Sequence, residues 1–177
     1  MPQSDFVDRS RQIWDELVKQ LRAANPGQKI AFRHKTHELV VDGTVVPISL
    51  DTERVGDGYR MRHGRYYFTI GAWRKNVTRP RAIERKDGFD WACIAQRVEA
   101  ERRRLVYEKE TQEGNKARLA KCRGELEALF ERRPELAHLQ FYVNVLEGSG
   151  TYSFKVNGMD VKWLETVLDI ANRLDES

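Results

Sequence analysis

Between residues 29 and 73 the apolar residues change their spacing, and that change limits what the chain can fold into. Before it, Phe6, Ile13, Trp14, Leu17, Val18 and Leu21 recur at helical intervals. Pro26 and Gly27 then supply a stop, which predicts a first helix over about 5–24. Within it, "KIAFRH", "ELVVDGTVVPISL", "YRMRHG" and "RYYFTIGAW" are short and rich in β-branched and aromatic residues. Four or five antiparallel strands are expected there. Asp42-Gly43 suits the positive φ angles of a tight hairpin turn. Gly64 is read as a second corner of that kind. Pro47 has no N–H for a ladder, so it belongs at an edge or a strand end.

From Asp90 the helical period returns. Trp91, Ile94, Ala95, Val98 and Leu105 form one stripe, and Leu119, Cys122, Leu126, Leu129 and Phe130 form another. The stretch 108–118 between them is polar apart from Ala117. The favoured arrangement is a helical hairpin, with Gly114 closing one helix and Asn115 capping the next. Folding back would bury each stripe on the other. The alternative is one continuous helix of about 40 residues, which would need a partner such as a second copy. Pro134 ends this region. "LQFYVNVLEGSGTYSFKVNG" alternates around "EGSG" as a further hairpin, and Asp160 is placed to cap a last helix over 161–174 with two apolar faces.

The order helix, strands, helical region, hairpin, helix predicts an α+β fold. Its antiparallel sheet of hairpins would carry an N-terminal helix, a long helix or helical hairpin at about 90–132, and a C-terminal helix. A single domain over 1–177 with a projecting helical arm is expected, a split near 87 being the alternative. No apolar run is long enough to span a membrane. No secretory leader is apparent in "MPQSDFVDRS". Cys93 and Cys122 are read as free core thiols. A cytoplasmic address is the default expectation.

Charge supplies the functional clue. The formal net charge is +4 over 177 residues, yet residues 59–86 alone carry nine Arg or Lys and one carboxylate. The 58 residues before them are net −1 and the 91 after them net −3. Tyr59, Tyr66, Tyr67, Phe68 and Trp73 are interleaved with the cations. Guanidinium groups neutralise phosphate and stack on bases, and aromatic rings stack on bases without demanding a sequence. The segment therefore points to a non-catalytic protein that binds RNA or DNA, single-stranded by preference. Arg60, Arg62, Arg65, Arg74, Lys75, Arg79, Arg81 and Arg85 are the candidate phosphate contacts. Tyr66 and Trp73 are the candidate stacking residues. Arg97 and the run Arg102-Arg103-Arg104 are candidates to continue the track along a helix.

Other chemistry has weaker support. Glu84-x-Lys86 with Asp57 upstream has the outline of an Asp…Glu-x-Lys nuclease core, in which carboxylates hold Mg²⁺ and the lysine assists attacking water. A connector loop is a poor place for it, so a Mg²⁺-dependent nuclease is the second alternative. The first is a protein-binding accessory factor, an inhibitor or adaptor of phage or defence-system type, docking its basic surface or its 90–132 stripes on a partner or on a second copy. His34 and His37, read as strand residues, would face opposite ways and could not chelate one ion. His63, read as a turn residue, stands among arginines and is a possible phosphate contact. Two distant cysteines make no zinc finger. No Gly-rich phosphate loop is present. "GRYYFTI" lacks the second small residue that an RNA-recognition motif needs. No cofactor and no resident metal is expected.

Overall fold

The computed structural model describes residues 3–55, 62–71, 81–139 and 158–176, with the backbone alone at 3–7, 54–55, 62–63 and 158–159. The fold is α+β. Helix α1 spans Gln3–Ala24. Six strands follow: β1 Ile30–Arg33, β2 Glu38–Val41, β3 Thr44–Val46, β4 Ile48–Val55, β5 Arg62–Ile70 and β6 Arg81–Ile83. Then come α2, Trp91–Arg132, a 3₁₀ helix at Pro134–Leu139, and α3, Gly158–Asp175. The expected hairpin around "EGSG" lies outside the described residues. No helix among the described residues is long and apolar enough to cross a membrane.

The strands form two antiparallel three-stranded sheets, β1-β2-β3 and β4-β5-β6. The β2–β3 turn is made by Asp42 and Gly43 at φ 50° and 78°, the paired positive angles that "DG" suits. Pro47 separates β3 from β4, at the junction of the two sheets, and its carbonyl accepts from Gly71 N–H at 2.8 Å. Gly64 is not a corner. It lies inside β5. The β4–β5 register shifts between Thr52 and Arg54, so Gly64 and Arg65 together oppose Glu53. A bulge of this kind uses a glycine as readily as a turn does. The connector loop expected around Glu84 is preceded directly by β6, whose Ala82 and Ile83 pair with Phe68 and Tyr67.

By compactness the chain divides into residues 1–106 and 107–177. In the first unit, Trp14, Leu17 and Leu21 of α1 bury one helical face. They join Ile30, Leu39, Val41 and Val46 of the first sheet, Tyr66, Phe68 and Ile70 of β5, and Ile94, Ala95 and Val98 of α2. Trp14 stacks on Phe32 at 4.1 Å and meets Phe68 edge-on at 5.3 Å. Phe68 is fully buried, and a side chain of that size contributes roughly 1.5–3 kcal/mol by leaving water.

In the second unit, Cys122, Leu126 and Leu129 of α2 pack with Leu136, Leu139 and the Leu164, Val167, Leu168, Ala171 face of α3. Arg118–Glu165 at 2.5 Å and Arg133–Asp175 at 2.9 Å join its elements at the rim. Of the second apolar face of the last helix, Trp163, Ile170 and Leu174 are exposed and Val167 is buried.

The expected helical hairpin is absent. Helix α2 runs 42 residues through Gly114. A mid-helix glycine costs only about 1 kcal/mol, and apart from Thr111 and Asn115 the rest of "EKETQEGNKAR" is built from good helix formers. Lys109–Glu113 and Lys121–Glu125 add i,i+4 pairs. Each stripe finds its own core, so neither has to fold back on the other.

Candidate nucleic-acid interface

The site is built within the first unit by β5, β6, the turn after β6 and the first turns of α2. In β5, Tyr66, Phe68 and Ile70 point to the core, and strand alternation sends Arg65, Tyr67 and Thr69 to the opposite face. In β6, Arg81 stands opposite Thr69, and Ile83 opposite Tyr67. The Arg81 guanidinium therefore reaches its diagonal neighbour and lies 4.7 Å above the Tyr67 ring. Residues 85–88 close a tight turn. Arg85 N–H donates to Gly88 C=O at 3.0 Å, Gly88 N–H returns to Arg85 C=O at 3.1 Å, and Gly88 takes φ 95°. This turn fixes the backbone from which Arg85 projects.

Asp90 then starts α2. Its Oδ1 accepts from Cys93 N–H at 3.0 Å, and its carbonyl from Ile94 N–H at 3.0 Å, an N-cap. Asp90, Cys93 and Arg97 share one helical face. Arg97 Nη1 donates to Arg81 C=O at 3.0 Å, which ties α2 to the edge strand.

The result is a cleft of about 340 Å³ lined by Arg65, Arg81, Arg85 and Arg97, with Asp90 and Cys93. Arg65 is shared with Glu53 at 3.3 Å. Among the described residues no ion pair occupies Arg81, Arg85 or Arg97. Three guanidiniums with no ion pair among the described residues thus line one concavity, beside the Asp90 carboxylate, whose Oδ1 caps α2 and whose charge remains.

The structure brings together only some of the residues that the sequence proposes. Arg65, Arg81 and Arg85 line the cleft. Arg62 lies in β5 with its backbone alone described, and Arg60, Trp73, Arg74, Lys75 and Arg79 lie outside the described residues. Tyr66 faces the core at 5% exposure, with the Arg9 guanidinium 5.0 Å over its ring, so it is not a surface for a base. Tyr67 takes the outward place. The phase of Phe68 and Ile70 already carried that signal, because Tyr66 is in step with both. His63 belongs to β5 rather than to a turn.

Arg102, Arg103 and Arg104 are each ion-paired on their own helix. Glu99 accepts from Arg102 at 2.8 Å and from Arg103 at 2.7 Å, and Glu101 binds Arg104 at 2.6 Å. Gln28 adds a 3.0 Å bond to Glu99. The Arg102 hydrogen bonds above all, then those of Gln28 and Arg103, hold the Glu99 carboxyl down at about 2 against the upward push of burial.

The residues of the nuclease outline are not assembled as ligands. Glu84 Oε1 pairs with Arg9 at 2.7 Å, and Oε2 accepts from Tyr66 N–H at 3.3 Å. Asp57 lies outside the described residues, Lys86 is in the turn, and no group of three or more metal-ligating side chains occurs among the described residues. His34 and His37 sit in the turn after β1, both edge-on to Phe32. With Trp14, Ile48, Leu50 and Arg11 they line a larger concavity of about 680 Å³, whose mainly apolar wall does not match a polyanion. Cys93 lines the arginine cleft and is half-buried, whereas Cys122 is a core thiol that burial pushes up in pKa. No family model matches this chain, and neither a curated protein nor a solved structure matches it.

Proposed function

We propose that the first unit is a non-catalytic binding module for single-stranded RNA or DNA, with the β5–β6–α2 cleft as its phosphate-contacting centre. The observation that carries this reading is the set Arg81, Arg85 and Arg97. They line one cleft, and no ion pair among the described residues occupies them. A guanidinium whose partner is a neighbouring carboxylate gives phosphate little. One without a partner offers a planar pair of donors that fits two phosphate oxygens. Tyr67 adds an aromatic face whose cation is already held in place. The basic residues at 60, 74, 75 and 79 are close to the cleft residues in sequence.

Fluorescence anisotropy with short labelled single- and double-stranded DNA and RNA, at two salt concentrations and with Mg²⁺ present, tests the reading. Salt-sensitive binding that favours single strands, with the strands intact on a denaturing gel, is the expected result. Cleavage would overturn the non-catalytic part and bring Glu84 and Lys86 forward. Failure to bind any of the four would end the nucleic-acid reading and leave an acidic protein surface as the partner to seek.

A further inference from the structure

The size and charge of the arginine cleft restrict which part of a strand it can hold. At about 340 Å³ it lies at the small end of ligand pockets. That suits one phosphate with its sugar. Grooves that track a strand take about 4–16 nucleotides. Its charge exceeds what one internal linkage needs. A phosphodiester carries one negative charge, whereas a terminal phosphomonoester carries about 1.5–2 near pH 7 and presents three oxygens. Against it stand the guanidiniums of Arg81, Arg85 and Arg97 less the one charge of the Asp90 carboxylate, which also lines the cleft, with Arg65 partly drawn off by Glu53. The first turn of α2, at the same wall, adds partial positive charge from its N–H groups. Three planar donors suit three terminal oxygens better than the two free oxygens of a diester.

Resting on the nucleic-acid reading above, we infer that this cleft captures the terminal phosphomonoester of a single strand rather than an internal phosphodiester. Cys93 supplies a local reporter, because it lines the cleft while Cys122 is buried.

The experiment compares short single strands of one sequence ending in 5′-phosphate, 3′-phosphate or hydroxyl at both ends. Binding is read by anisotropy, and alkylation of Cys93 by iodoacetamide is read by peptide mass spectrometry. At least one phosphorylated strand is expected to bind about tenfold more tightly than the hydroxyl strand, the scale of one charge-assisted hydrogen bond. It should also slow Cys93 alkylation, and inorganic phosphate should compete with it. Arg85→Ala, whose fold is checked by circular dichroism, should weaken binding of all three strands and of the phosphorylated strand most, so that the preference narrows. Arg97→Lys, which keeps the charge and loses the planar fork, should weaken it. Equal affinity for all three strands would overturn the terminal-phosphate inference and leave the nucleic-acid reading standing. No binding by any strand would overturn both.

Discussion

Two arginine clusters lie within the first unit, and they differ in what surrounds them. Arg81, Arg85 and Arg97 come from a strand, a turn and a helix, and no ion pair among the described residues occupies them. Arg102, Arg103 and Arg104 are consecutive on one helix and look the more basic in sequence. Glu99 and Glu101 take them up at i,i+3 and i,i+4. A dense run of cations on a helix can therefore be nearly silent toward an anion. Cations gathered by tertiary structure from a strand, a turn and a helix have no ion-pair partner among the described residues. What decides is the nearest carboxylate, not the local count of arginines.

Glu99→Ala should break this comparison most strongly. It removes the partner of Arg102 and Arg103 and one acceptor of Gln28. Stability should fall by roughly 1–3 kcal/mol in chemical denaturation, because a half-buried guanidinium loses its acceptor. The same change releases two cations, so single-strand affinity should rise and its salt slope steepen by about 0.7 for each phosphate gained. A destabilised variant with unchanged binding would show that position, and not neutralisation, keeps the helical run silent.

Acid should dissect the same carboxylate without a mutation. The folded-state pKa of Glu99 is depressed to about 2. Its contribution is thus fully present above the unfolded value of roughly 4.3 and is lost as pH falls from there toward 2. The stability gap between wild type and Glu99→Gln should be widest above pH 5 and close on acidification. A gap independent of pH would contradict the ion-pair account.

Glu84→Ala sharpens the boundary of the cleft. Glu84 is next to Arg85 in sequence yet bonds to Arg9 and Tyr66 N–H. Its loss should cost roughly 1 kcal/mol and leave strand affinity unchanged. Arg103→Ala should do least. Its side chain is 75% exposed, and it shares the Glu99 carboxylate with Arg102. A change of under about 0.5 kcal/mol is expected, with no change in binding.

What was legible in the sequence was local. The α1 stripe, the Asp42-Gly43 turn and the place of Pro47 each depend on neighbours a few residues away. What was not legible depended on partners far along the chain. Gly64 became a bulge rather than a corner because β4 supplies one residue where β5 supplies two. Gly114 stayed helical because each half of α2 has its own core. Arg97 was named from the sequence, but its tie to Arg81 C=O sixteen residues back was not. Two misreadings had local remedies. Tyr66 alternates in phase with Phe68, and Glu99 stands three and four residues before Arg102 and Arg103, the spacing of a helical ion pair.

The most direct measurement is the salt dependence of single-strand affinity for the wild type against Arg81→Glu/Arg85→Glu. The account predicts a wild-type slope of log K on log salt of about −0.7 or steeper, from at least the one phosphate that the cleft holds. The double variant, folded by circular dichroism, should lose most of its affinity and approach a flat slope. Equal affinity and equal slope in the two proteins would show that the cleft is not where this chain meets an anion.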